Sequence, residues 1–157
     1  MDGGTVKSIL VLFCGHPYAC DDGFGYHVYQ VLKDMDLPEN VELMECGYSA
    51  SECVFMIDGK DRMIVVDVFR SNKEPGTVLR MKPEEIELTV DGLTDVPKLH
   101  LLEVLDEVAI SGKCPETIFI GVVPKEQNKV SQEPTPEIKE KIPVVVDMIL
   151  EEINKET

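Results

Sequence analysis

Short continuous apolar runs alternate along the chain with amphipathic segments, and that alternation predicts the architecture. "VKSILVLF" (Val6 to Phe13), "RMIVVDVF" (Arg62 to Phe69) and "ETIFIGVVP" (Glu116 to Pro124) are rich in β-branched residues and leucine, with few polar breaks. This is the pattern of strands covered on both faces in a parallel sheet. "VELMEC" (Val41 to Cys46) reads as a further strand, and Thr77 to Met81 as a short one behind the proline-glycine turn of "SNKEPGTVLRMK". Helical periods lie between them. "FGYHVYQVLKDM" places Phe24, Val28, Val31 and Leu32 on one face, and "SASECVFMIDG" fits a short helix stopped by Gly59. "KLHLLEVLDEVAISG" (Lys98 to Gly112) turns Leu101, Leu102, Leu105 and Val108 inward. "TPEIKEKIPVVVDMILEEINK" opens with a threonine cap and Pro136 at the first helical position, with a kink expected at Pro143. The polar stretch that ends near Thr94 carries no assignment.

Strands of the buried, parallel type alternating with helices predict an α/β fold. The expected form is a three-layer sandwich, a mostly parallel twisted sheet flanked by helices on both faces. A chain of 157 residues fits one domain over residues 1–157. In such sheets ligands collect at the carboxyl ends of the strands, near the point where the strand order reverses. The loop after the first strand (Cys14 to Asp22), Gly47 and Tyr48 after the second, and Asp67 at the end of the third are therefore expected to share one crevice.

Charge narrows the partners. Thirty acidic residues against 15 basic ones give a net charge of -15, a field that repels phosphate backbones and anionic lipid surfaces. Nucleic acid and membrane partners are not expected, and the acidity reads first as a solubility device. Five cysteines without a CxxC pair argue against a disulfide framework and a structural zinc site, and point to a reducing cytoplasm. The amino-terminal apolar run is too short to span a bilayer and has no small-residue cleavage site behind it, so no export or membrane insertion is expected.

The candidate chemistry sits in "GHPYACDDGFG", Gly15 to Gly25. It does not match GxGxxG, no GxxxxGK[ST] occurs, and two aspartates oppose a phosphate cradle. No GxSxG elbow and no HExxH pair are present. Asp22 and Asp67 with one of the three histidines, His16, His27 or His100, form a donor set suited to a divalent metal with an open position. A lone carboxylate at Asp67, inside an apolar run, is costly to bury unless paired or bound. His27 lies within a helix, where a core or surface role is the simpler reading. Cys14 and Cys20 could act as soft ligands or as a nucleophile. Against that, Cys14 continues an apolar strand, and Cys20 beside two aspartates is poorly activated. One of the two adjacent aspartates reads as a plain helix cap.

The chain resembles the hydrogenase maturation endopeptidases, which trim the carboxyl terminus of the large subunit of nickel-iron hydrogenases. The resemblance is carried in order by "ILVLFCGHPYACDDGFG", a variant of the family's strand, loop and D-[DE]-G-x-G turn, and by "MIVVDVFRSNKEPGTVLR", matching its strand-Asp-PGT segment. "HLLEVLDEVAISGKCPETIFIGVVP" and "TPEIKEKIPVVVDMIL" extend it over nearly the whole chain. It implies metal-binding positions at Asp22, Asp67 and His100, with Asp22 and Asp67 also taking part in catalysis. Asp21 would then be the helix-entry acid and Asp22 the carboxylate facing the crevice. The implied nickel is carried by the precursor, with no permanently bound cofactor. The implied partner is a large-subunit precursor, met in the cytoplasm by a protein that is monomeric when free. Two positions depart from the family pattern: Lys98 and Leu99 precede His100 where the family often has a Ser/Thr-His pair farther ahead, and His16 stands where asparagine is usual. These features look closest to the branch serving deazaflavin-reducing hydrogenases of methanogens. The competing expectations are a non-catalytic checkpoint protein that inspects nickel insertion in the same precursor, and a different α/β hydrolase.

Overall fold

The computed structural model describes residues 6–47, 54–89, 96–126 and 128–155, with the backbone alone for residues 54–55, 87–88 and 96–100. The chain forms β1 (Ile9–Cys14), a 3-10 turn (Cys20–Gly23), α1 (Phe24–Leu32), β2 (Val41–Gly47), α2 (Val54–Ile57), β3 (Arg62–Val68) and β4 (Val78–Met81). It continues as α3 (Pro83–Thr89), α4 (Val96–Ser111), β5 (Glu116–Val122), α5 (Pro136–Lys139) and α6 (Ile142–Ile153). The strands make one five-stranded sheet in the order β2-β1-β3-β5-β4. All neighbours are parallel except β4, which runs antiparallel to β5 at one edge.

The two-residue period of a strand divides the core between the two sheet faces. Ile9, Val11 and Phe13 of β1, Ile64 and Val66 of β3 and Ile118 and Ile120 of β5 pack with Phe24, Val28 and Leu32 of α1 and Val145 and Ile149 of α6. The alternate residues, Leu10 and Leu12, Met63 and Val65, and Phe119, pack with Ile57, Ile86, Leu101 and Leu105 from α2, α3 and α4. Helices thus cover both faces, as the apolar runs predict. β2, at the other edge, is only partly buried and carries Glu42 and Glu45, the charged dressing that discourages further strand pairing.

Three details differ from the sequence reading. Val31 is 41% exposed, so the inward stripe of α1 is Phe24, Gly25, Val28 and Leu32. The closing helix is two helices rather than one kinked rod: Pro143 lacks an amide donor, so the chain breaks after α5 and restarts with Pro143 in the first turn of α6. The unassigned polar stretch begins with α3, opened by Pro83 and the acids Glu84 and Glu85. Residues 90–95 lie outside the described residues, as do Tyr48 and residues 49–53 of the segment read as the short helix, whose described remainder holds α2.

At the amino end of the sheet, Arg62 of β3 reaches the carboxyl end of α6, donating to the Glu152 carbonyl and to Glu152 Oε2, each at 2.9 Å. Arg80 of β4 pairs with the same carboxylate. Among the described residues, no helix is long and apolar enough to cross a membrane.

Candidate functional site

The strand order reverses at β1: the chain leaves it to form β2 on one side and returns to form β3 on the other. The carboxyl ends of β1 and β3 therefore flank the switch point where α/β sheets bind ligands. Asp22 lies in the loop leaving β1 and Asp67 is the penultimate residue of β3, which pairs with β1 up to Phe13 and Val66.

The loop after β1 folds back on itself. Gly15, at φ +137°, lies under the Asp22 carbonyl, 2.4 Å from where a Cβ would stand. Gly25, in the first turn of α1, lies so close over the strand ends that a Cβ would stand 2.1 Å from the Cys14 carbonyl and 2.9 Å from that of Val66. Only glycine permits this approach. It brings the 3-10 turn, with both aspartates, over the ends of β1 and β3.

Asp21 does not cap a helix entry. The turn has no side-chain cap, and the fully buried Asp21 carboxylate crosses to the loop after β5. There it accepts the amides of Lys125 (2.9 Å), Glu126 (2.7 Å) and Thr135 (2.7 Å) and the Thr135 hydroxyl. The expectation that it satisfies free amides holds, but those amides lie more than a hundred residues away. Thr135 stands at the N-cap position of α5 without a side-chain cap bond, because its hydroxyl is engaged by Asp21.

Asp22 sits at the rim, with its side chain 26% exposed. Its Oδ2 accepts a hydrogen bond from Arg70 Nη2 at 2.7 Å, and its Oδ1 is shielded from solvent. Arg70 belongs to the loop after β3, which is stitched to the end of β5. Phe69 N donates to the Val122 carbonyl, Gly76 N to that of Val123, and Val123 N to that of Thr77. The PGT segment thus anchors the loop that presents Arg70. Asp67 is 8% exposed, and its Oδ1 accepts the Val68 amide at 2.7 Å.

His100 falls in the second turn of α4, and its side chain lies outside the described residues. Its backbone position is informative. α4 runs directly into β5, which is parallel to β1 and β3, so the first turns of α4 lie where those strands end. α4 also covers the sheet face occupied by Met63 and Val65, and residue 67 shares their parity. Residue 100 and Asp67 therefore belong to the same end and the same face of the sheet. Among the described residues, no group of three His, Cys, Asp or Glu side chains is arranged to hold a metal; the described residues supply the two aspartates.

The remaining candidates have other surroundings. His16 accepts the Tyr18 amide on Nδ1 at 3.2 Å and packs against the Tyr18 ring. His27 packs edge-on against Tyr26, its Nε2 is buried without a hydrogen bond, and burial pulls its pKa below the ordinary 6.5 against the raising effect of Glu133. Cys14 and Cys20 are buried. Arg70 is the site residue that pattern reading missed. Its one signal was a single arginine three residues after the aspartate near the end of a buried strand.

A profile of the hydrogenase maturation protease family matches residues 26–152, a span that contains Asp67 and His100 and begins after Asp22. The delta subunit of the coenzyme F420 hydrogenase of Methanothermobacter thermautotrophicus is 33% identical over 92% of the chain and 94% of its own length. The hydrogenase 2 maturation protease of Escherichia coli is 28% identical over 74% of the chain and 73% of its own length. In fold, the chain superposes on the hydrogenase maturating endopeptidase HybD from Escherichia coli with a TM-score of 0.83 and 24% identity, covering 93% of this chain and 91% of that one.

Proposed function

The chain belongs to the hydrogenase maturation protease family, and from that membership we propose that it is the endopeptidase that removes a carboxyl-terminal extension from the nickel-loaded large-subunit precursor of a nickel-iron hydrogenase. The observation that carries this reading is the placement of Asp22, in the loop leaving β1, and of Asp67, at the end of the adjoining β3, at the switch point. Nickel arrives as part of the substrate. Asp22, Asp67 and His100 take it up, two carboxylates and an imidazole being a donor set that leaves coordination positions to the precursor. Asp22 already accepts a cationic group at 2.7 Å, which fits a carboxylate poised for a positive charge. The metal polarises or positions the scissile peptide, and one aspartate handles a proton. The protein acts as a cytoplasmic monomer. Its relative within the F420 hydrogenase of a methanogen supports a deazaflavin-reducing hydrogenase as the source of the precursor.

Intact-mass spectrometry of a nickel-loaded precursor incubated with the protein tests this. Loss of a short carboxyl-terminal peptide is expected with wild-type protein and nickel-loaded precursor only. Asp22→Asn and Asp67→Asn should each slow cleavage by at least about 100-fold. Nickel-dependent association without any loss of mass would instead assign the protein to inspection of nickel insertion. Cleavage of nickel-free precursor at the same rate would refute the metal-dependent reading.

A further inference from the structure

We infer that Arg70 is a displaceable counter-ion for Asp22: it occupies the carboxylate in the free protein, keeps unescorted divalent cations off it, and gives way to nickel presented by the precursor. The inference rests on the assignment of Asp22 as a nickel-facing residue. Arg70 Nη2 holds Asp22 Oδ2 at 2.7 Å, so a metal approaching that oxygen must first displace the guanidinium. The two side chains are 20% and 26% exposed. A pair of that exposure orders the carboxylate yet is weak enough to exchange.

The placement is specific. Arg70 projects from a loop fixed to the end of β5 through Phe69, Gly76 and Val123, and Asp22 from a turn fixed to the loop after β5 through Asp21. Both partners are therefore held by backbone that has little freedom to drift. Arginine keeps its charge at all working pH values, so the guard does not switch off by deprotonation.

The chemistry also calls for such a device. A protein with net charge -15 concentrates divalent cations around itself, and an unguarded pair of aspartates at a crevice would collect them indiscriminately. A guanidinium raises the threshold equally for every free ion. The precursor overcomes it because contacts remote from the nickel supply binding energy that a free ion lacks. Selectivity for escorted nickel then comes from competition rather than from ligand type.

Calorimetric titration of nickel chloride into wild type, Arg70→Gln, Arg70→Lys, Asp22→Asn and the Arg70→Gln/Asp22→Asn double variant tests this, with thermal melts reporting folding. Arg70→Gln should bind free nickel at least about fivefold tighter than wild type. Arg70→Lys should stay within about twofold of wild type, because it restores the charge. Asp22→Asn should erase the gain in the double variant. Free nickel should also inhibit precursor cleavage by Arg70→Gln at correspondingly lower concentration. Equal affinities in wild type and Arg70→Gln, with Asp22→Asn still weakening both, would overturn the counter-ion role and leave Asp22 as a ligand. A gain that survives Asp22→Asn, or free-nickel binding in none of the proteins, would also overturn it. If Asp22→Asn changed neither nickel binding nor cleavage, the nickel-facing assignment of Asp22 would itself fall.

Discussion

Asp21 and Asp22 are adjacent in the chain, yet one is sealed beneath three backbone amides and the other meets a guanidinium at the rim. Replacing Asp21 by Asn puts an amide donor against amide donors in a fully buried position. Asp21→Asn should therefore lower unfolding stability in urea by about 2 to 4 kcal/mol, and hydrogen exchange should quicken in the loop after β5. Asp22→Asn breaks only a part-exposed pair, so it should change stability by less than about 1 kcal/mol; loss of cleavage in that variant then reports chemistry rather than folding. His27 makes a pH prediction. Burial lowers its folded pKa below 6.5, so as pH falls below that value the unfolded chain takes up a proton first and stability drops; above it the contribution is complete. Glu133 and Lys139, the charged groups acting on it, oppose each other. His27→Gln should flatten the fall in melting temperature on acidification from about pH 7 to pH 5, read by scanning calorimetry. The aspartate pair was visible in the sequence as an anomaly at a strand exit, but its partners were not. Arg70 lies 48 residues from Asp22, and Thr135 lies 114 from Asp21, separations at which local periodicity carries no information.

At the scale of elements, the apolar runs of β1, β3 and β5 were legible because a strand buried on both faces leaves no room for polar alternation. The helices of α1 and α4 were legible by their period, whereas α3 is polar on most of its short length and gave no stripe to read. For the closing segment the sequence predicts one kinked helix where the structure has two, because Pro143 is compatible with either a kink or a fresh helix start. One contact inside the sheet is less visible still. Gly121 pairs with Asp67 across β3 and β5, and a Cβ there would stand 1.7 Å from the Asp67 carbonyl oxygen and 2.6 Å from the Phe69 ring. Gly121→Ala must push the two strands apart beside the site, which should cost about 1 to 3 kcal/mol in urea unfolding and reduce precursor cleavage together with it. At the opposite end of the sheet, Glu152 is 5% exposed and neutralises both Arg62 and Arg80. Glu152→Ala should destabilise by about 3 to 5 kcal/mol, because it strands the buried Arg62 guanidinium without a countercharge. The site lies at the other end of the sheet, so the residual folded protein should cleave at a nearly normal rate, which single-turnover assays below the melting transition would show.

Across the whole molecule, two electrostatic effects oppose each other. Exposed pairs such as Lys125–Glu137 and Lys139–Glu133 are present, but each is worth little in water and weakens further with salt. Against them stands the self-repulsion of a chain with 30 acids and 15 bases, which acts over the full surface and opposes the compact state. Both terms are screened by salt, with opposite consequences for stability. If repulsion dominates, as the two-to-one excess of acids implies, raising sodium chloride from about 20 mM to about 500 mM, which shortens the screening length from about 20 Å to about 4 Å, should raise the melting temperature by several degrees. The ion pair between Arg62 and Glu152, 7% exposed on both sides, is shielded from that screening and would hold through the titration. A melting temperature that falls with salt would instead mean that the surface pairs outweigh the net charge, and that the acidic field is too well compensated locally to govern the stability of the fold.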